Sequence, residues 1–218
     1  MRNSILVLFI LIGFAINSDA QRNTKTKRVF GVKSSIGVSL AANETTYAGE
    51  IFDYINHEVT YSGTNIVKSF GVFGQEKFGY LFARAELAYT NFTQEYDVTS
   101  HIQFGQGPRT AFEKFEFIDF QLLAGLTHNN IRIGVGPVAH ILAGHRTELD
   151  FISGYNDNLR SITYGFTTSV GLDAGRFHLD VRYENNFRTV GDHINYGTRN
   201  ARFQNKPHVV NFTLGISI

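Results

Sequence analysis

The chain has 218 residues, a formal net charge of +1 and no cysteine. A charge so close to neutral gives no indication of nucleic-acid binding, and the lack of cysteine excludes a disulfide framework. After the first 20 residues, no apolar run reaches the length of about 20 residues that a spanning helix needs. Passage through a membrane would therefore require a closed β-barrel, which satisfies every backbone polar group in lipid.

The N-terminal segment has the pattern of a secretory signal peptide. Arg2 precedes an apolar stretch at 5–16, and small residues follow it up to Ala20. This pattern predicts cleavage before Gln21. The apolar stretch is too short for a membrane anchor. We therefore expect residues 1–20 to be removed and residues 21–218 to form one domain.

Eight later segments alternate apolar and polar residues with a period of two, which is typical of strands with one apolar face. In chain order they are 30–40, 66–75, 80–90, 115–127, 131–143, 162–174, 177–186 and 209–218. The clearest is 177–186, where Phe177, Leu179, Val181 and Tyr183 share one face and His178, Asp180, Arg182 and Glu184 share the other. In 115–127 the alternation changes phase near Phe117, which predicts a β-bulge there.

The gaps between these segments alternate in length. Short turns are expected at 76–79, 128–130 and 175–176, and long polar loops at about 41–65, 93–114, 144–161 and 188–208. Short turns on one rim and long loops on the other are typical of outer-membrane barrels. We predict an all-β fold, a closed antiparallel eight-stranded up-and-down transmembrane β-barrel with both termini on the periplasmic rim.

The polar faces of the segments carry ten ionisable residues. They are Lys33, Arg84, Glu86, Asp119, Arg132, Asp173, His178, Asp180, Arg182 and Glu184. In a narrow barrel with lipid outside, these side chains would fill the lumen as a network of paired charges. Such a lumen has no continuous water pore, so a general porin is not expected. The alternative is a soluble lipocalin-like binder with its apolar face inside. An apolar interior that holds a lipophilic ligand would not accommodate this many charged side chains.

Aromatic residues at the strand ends favour a membrane boundary on each rim. Those expected to face outward near the outer rim are Tyr89, Phe92, Tyr164, Phe166 and Tyr183, and those near the inner rim are Phe78, Tyr80 and Phe177.

Several strand motifs resemble a known family. They are Phe30-Gly31-Val32-Lys33, Phe117-Ile118-Asp119-Phe120-Gln121-Leu122-Leu123, Gly134-Val135-Gly136-Pro137, and the run from Val170 to Tyr183. With them the chain resembles outer-membrane barrels of the PorT-like type and, more loosely, the small OmpA-type barrels. The resemblance implies an outer-membrane barrel with a role in secretion, adhesion or envelope integrity. Such barrels usually end on an aromatic residue, whereas this chain ends on Ile218.

The residues predict a non-catalytic protein that acts structurally or through its outer loops. Its expected partners are outer-membrane lipid and lipopolysaccharide, and an envelope or extracellular protein at the long loops. The second interpretation is an enzyme that modifies lipid A, which would need a nucleophile and base at the lipid-facing outer rim. Alternation places His140 and His178 toward the lumen instead.

No cofactor motif is present, and no cofactor, catalytic residue or metal site is predicted. Histidine is the one residue type that leaves a metal site open, because imidazole is a common ligand of zinc, copper and nickel. Each long loop carries one histidine, namely His57, His101, His145 or His193. The sequence does not say whether these four converge above the barrel.

Overall fold

The computed structural model describes residues 26–40, 45–49, 56–64, 66–100, 109–151, 157–187, 191–196, 199–201 and 208–218. The predicted signal peptide, 1–20, lies outside these residues. Within them the chain forms thirteen strands and one short 3-10 helix at Leu149–Phe151. The strands are β1 (Lys27–Ser39), β2 (Thr45–Gly49), β3 (Asn56–Thr64), β4 (Val67–Phe78), β5 (Leu81–Ser100), β6 (Arg109–His128), β7 (Ile131–Thr147), β8 (Asp157–Leu159), β9 (Ile162–Ala174), β10 (Phe177–Asn186), β11 (Gly191–Tyr196), β12 (Arg199–Ala201) and β13 (His208–Ser217).

Eight of the described strands form a closed ring in the order β5-β4-β1-β13-β10-β9-β7-β6, and β6 pairs back onto β5. Every neighbouring pair is antiparallel. The first and last strands of the ring close on each other, with Val32 opposite Ile216. The predicted eight-stranded up-and-down barrel is confirmed. In this ring β5 and β10 lie on opposite sides of the lumen, four strands apart in either direction.

Three two-residue turns define one rim of the barrel. Each begins with a residue of positive φ: Gly79 at 63°, Asn129 at 53° and Gly175 at 65°. Tight hairpins require this backbone region, which glycine and asparagine adopt at the lowest cost. β1 begins and β13 ends at the same rim, where the Ile218 amide donates to the Phe30 carbonyl at 2.9 Å.

The opposite rim is uneven, because β5 and β6 are 20 residues long whereas β10 and β13 have 10 each. The predicted loop at 93–114 is therefore wrong over most of its length. Tyr96 and Val98 are buried in β5, and Ala111 is buried in β6. The alternation of buried and exposed residues thus continues beyond the expected ends of β5 and β6, and the two strands remain paired there. β3 adds to the free edge of β5, and β2 adds to β3. We call residues 91–100 and 109–116, with β2 and β3, the raised wall.

The predicted phase change in the fourth barrel strand is also wrong. In β6 the odd-numbered residues face inward along its length, and Phe115 and Phe117 are buried. The irregularity lies in the partner strand, since Glu116 pairs with Gly144 and Phe117 with Leu142. Ala143 is therefore the extra residue of a bulge in β7. Phe115 and Phe117 are apolar residues on the otherwise polar inner face, so the sequence pattern changes phase there although the strand keeps its two-residue period.

The outward face of the ring is apolar and the inward face is polar. Exposed apolar residues occur on every barrel strand, whereas the buried side chains include Lys33, Arg84, Arg132 and Arg182. The aromatic residues expected at the rims face outward, with one exception. Phe92 points inward, because the alternation of β5 continues through it, and it stacks on Phe115 with ring centroids 5.3 Å apart. Among the described residues there is no helix of the length and apolarity that would cross a membrane.

Candidate functional site

The half of the lumen nearer the two-residue turns is filled by ion pairs that join opposite walls. Arg182 on β10 meets Glu86 on β5, with nitrogen–oxygen distances of 2.6 and 2.7 Å. Arg84 on β5 meets Asp180 on β10 at 3.3 Å. Nearer the turns, Lys77 on β4 donates to Asp173 on β9 at 2.6 Å. Because β4 and β9 are also four strands apart, all three contacts cross the full width of the lumen.

Glu86 is the carboxylate on which most of these cations converge. It accepts from Lys33 and Arg182, and the Nε atom of Arg84 lies 2.6 Å from it. Arg182 also donates to Gln121 at 2.7 Å. Burying a charge without a partner is costly, so several cations around one acid require further acids nearby.

Asp180 and Asp173 meet that requirement through Arg132. The Arg132 side chain lies 3.0 Å from Asp180, 2.8 Å from Asp173 and 2.9 Å from the Gln75 oxygen. Asp173 also accepts from His178 at 2.7 Å. Each buried acid thus contacts more than one donor.

Two phenylalanines pack within this network. The Arg84 guanidinium lies 3.9 Å from the ring centroid of Phe73, a cation–π contact. Phe82 occupies the space that Gly134 leaves open, since a Cβ atom at Gly134 would lie 2.7 Å from the Phe82 ring. We call the ion pairs and these two rings the plug.

The structure places all ten of the predicted lumen residues on the inner face, and every one contacts another charged or polar side chain. Sequence reasoning missed Lys77, which it assigned to a turn, and Gln75 and Gln121, whose amides are uncharged. Counting alternation back from Gly79 would have placed Lys77 on the inner face, because β4 continues to Phe78.

Above the plug, toward the raised wall, lies a cavity of about 70 Å³. Lys33, Glu86 and Arg182 form its lower end, and Phe92 and Phe117 line it near the outer rim. A water molecule needs roughly 10–15 Å³ of such space, so the cavity has room for a few waters but not for a lipid chain. The cavity wall combines serine and threonine hydroxyls with apolar side chains such as Val67, Ala88 and Val138.

His140 lies beside this cavity between two acidic groups. Its Nδ1 atom is 2.7 Å from Asp119, and its Nε2 atom is 3.0 Å from Asn186 and 3.3 Å from Glu184. Thr90 donates to the second oxygen of Asp119 at 2.5 Å. Both ring nitrogens are therefore engaged by side chains from β6 and β10. His140 and its partners therefore link β6, β7 and β10 at the height of the cavity.

Aromatic residues close the lumen beyond His140. Phe92 stacks on Phe115 and Phe117 at 5.3 and 5.8 Å. Further out, His145 lies 2.8 Å from Glu113, which also accepts from the Tyr96 hydroxyl at 2.9 Å. Side chains thus occupy the lumen from the two-residue turns to the raised wall, with a partly open cavity between.

Of the four loop histidines, only His145 has a described side chain, and it faces the lumen beside Glu113. His57 and His193 belong to β3 and β11, but their side chains and the whole of His101 lie outside the described residues. The question of convergence therefore stays open. Among the side chains that the structure describes, no group of three or more His, Cys, Asp or Glu could hold a metal ion.

The chain matches no protein-family model and no curated protein. The resemblance to PorT-like and OmpA-type barrels thus remains a prediction. A solved structure to which the chain is similar is the translocator domain of autotransporter NalP from Neisseria meningitidis. The similarity covers 99% of this chain and 96% of that domain at 9% identity, with a TM-score of 0.33. Similarity this weak implies nothing about what the present chain does.

Proposed function

We propose that this chain is an integral protein of a Gram-negative outer membrane, in which a sealed, non-catalytic barrel supports an outer interaction surface. The observation that carries the proposal is the inverted distribution of polarity. Phe212, Val170 and Ile133 are each more than half exposed on the barrel wall, whereas Arg84 and Arg132 are only 2% exposed inside it. An apolar outer wall of this kind is unfavourable in water and favourable in lipid.

The plug supports a role other than transport through the lumen. Three ion pairs cross its full width, and breaking any of them would leave a buried charge without its partner. The engaged nitrogens of His140 likewise favour a cross-linking role over that of a catalytic base. The lipid A-modifying enzyme is therefore the less supported interpretation.

The raised wall supports action at the outer surface. Measured along the strands, the raised wall is roughly 30 Å long, at about 3.4 Å per residue. Its inner side is packed by Tyr96, Val98 and Ala111, so it forms a continuous sheet on one side of the mouth. Such a surface suits an envelope or extracellular protein, in a structural, adhesive or secretion-associated role.

Membrane extraction and conductance test the proposal together. We expect the protein to remain in the membrane pellet after carbonate washing and to migrate faster on unboiled gels than on boiled ones. In planar bilayers it should add no stepwise ion conductance. Recovery in the soluble fraction would favour the lipocalin-like alternative, and stable open channels would contradict the sealed lumen. A change in lipid A mass that depends on the protein would favour the enzyme.

A further inference from the structure

On three neighbouring strands the outward apolar band ends at one level. Tyr89 on β5 is opposite Ile118 on β6, and Ile118 is opposite Ile141 on β7. All three are exposed. The next outward residues on β5 and β6 are Asn91 and Glu116, which are also opposite each other. If the barrel lies in a membrane as proposed, this level is the boundary between acyl chains and headgroups.

In the second outward row beyond this boundary, two basic residues face each other directly. Lys114 on β6 and Arg146 on β7 are Cα partners. Arg146 faces outward, because its neighbour His145 contacts Glu113 inside the lumen. Like charges placed directly opposite each other on a sheet are destabilising. Glu116 offsets part of this repulsion through its ion pair with Lys114 at 2.9 Å, so a further anion is favoured mainly at Arg146.

The acids nearby are already engaged. Glu116 accepts from Lys114 at 2.9 Å and also from the Tyr89 hydroxyl. One row further out, Glu148 accepts from the Phe112 amide at 3.2 Å, and Glu95 lies opposite Phe112. Within the described residues, no acid forms a close ion pair with Arg146.

A third basic residue lies beside the pair at the same boundary. Lys68 on β4 is exposed, is opposite Asn91, and lies between the exposed apolar residues Phe70 and Ile66. Four strands thus present exposed apolar residues, then three cations, and then Ile66 and Phe112, which are also exposed. An amphiphile with a negatively charged headgroup matches this order, whereas a soluble anion would use only the cations.

We propose that Lys114, Arg146 and Lys68 bind the phosphate groups of a phosphorylated lipid in the outer leaflet. Its acyl chains would then lie on Phe70, Tyr89 and Ile118. The Arg146 guanidinium presents a planar fork that suits two phosphate oxygens, and the lysines supply point charges. This site goes beyond the proposed function and rests on it, because it requires the barrel to lie in the membrane.

Lipid retention by the folded, purified barrel in a neutral detergent tests the site. Native mass spectrometry would measure binding of bisphosphorylated lipid A, of the same lipid after dephosphorylation, and of inorganic pyrophosphate. We expect clear preference for the phosphorylated lipid. The double variant Lys114→Gln/Arg146→Gln should weaken it roughly fivefold for each cation removed. The matched control is Arg176→Gln, which removes an exposed cation at the opposite rim.

The same variants separate a lipid site from a stability effect. Without lipid, the double variant should unfold at about the same temperature as the parent, because it removes the repulsion between Lys114 and Arg146 together with the exposed Lys114–Glu116 ion pair, and each of these contributions is small. The proposal is overturned if dephosphorylated lipid binds equally well, if the double variant keeps the preference, or if pyrophosphate competes as effectively as the lipid. Each of these outcomes would leave the membrane location intact. A chain that does not fold in detergent would contradict the proposed function itself.

Discussion

The guanidinium of Arg182 and the carboxylate of Glu86 form a two-point ion pair across the lumen, at 2.6 and 2.7 Å. Their strands, β10 and β5, are as far apart in the ring as two of its strands can be. The pair therefore links two walls that share no backbone hydrogen bonds. It also occupies the centre of the lumen, where a pore would have to pass.

Replacing Arg182 with leucine should destabilise the barrel strongly. The change leaves Glu86 with one guanidinium fewer and Gln121 without a donor, and breaking a buried pair typically costs about 3–5 kcal/mol. Arg176→Leu, at an exposed turn position, should have little effect. The stability of both variants can be measured on unboiled gels, as the temperature and the urea concentration at which half of the fast-migrating, folded form is lost. Equal midpoints for the two variants would count against an interior position for Arg182.

Val181 provides the corresponding test of the outer wall. It is half exposed, and its neighbours across the strands are Val170 and Phe212. Arginine at the membrane midplane of a barrel costs about 2–4 kcal/mol, so Val181→Arg should lower the yield of inserted protein. Val181→Leu is the matched control and should insert normally. Normal insertion of the arginine variant would favour a soluble barrel.

The charged part of the lumen could be predicted because alternation is strict where it occurs. From 178 to 184 every second residue is ionisable, so one register places His178, Asp180, Arg182 and Glu184 together. Their partners could not be predicted. The contact of Arg182 with Glu86 depends on which strands lie opposite in the ring, and the sequence states only their order along the chain.

The interior aromatic residues could not be predicted for a different reason. Phe92, Phe115 and Phe117 have the polarity expected of the lipid face, yet their strand parity places them inside. The stacking of Phe92 on Phe117 at 5.8 Å depends on both strands continuing into the raised wall. Hydrophobicity and parity conflict at these positions, and the long β5–β6 pairing decides in favour of parity.

Tryptophan fluorescence can check this inward orientation, because the chain has no tryptophan of its own. A single Ile118→Trp substitution places the reporter on the lipid face, whereas Phe117→Trp places it one residue away in the lumen. In bilayers with brominated acyl chains, we expect most of the emission at position 118 to be quenched and little at 117. Equal quenching would instead support the phase change that the sequence suggested.

The first and last long loops provide a prediction about the outer surface. Residues 41–65 carry Glu44, Glu50, Asp53 and Glu58 and no Lys or Arg, whereas residues 188–208 carry Arg188, Arg199, Arg202 and Lys206 against Asp192. These side chains lie outside the described residues. The strands within the two segments nevertheless meet, since β2 contacts β12.

We predict that opposite charge holds these two segments together. Each exposed pair contributes only about 0–1 kcal/mol, and salt screens it, since the Debye length falls from about 8 Å at physiological ionic strength to about 3 Å at 1 M. Trypsin cleavage near Arg199 on intact cells should therefore be faster at high salt. Cleavage of an added unstructured peptide with a single arginine, at both salt concentrations, serves as the control for protease activity. If the rate at Arg199 does not rise relative to that control, the segments are not held by charge. The basic segment would then be available to an anionic partner such as lipopolysaccharide.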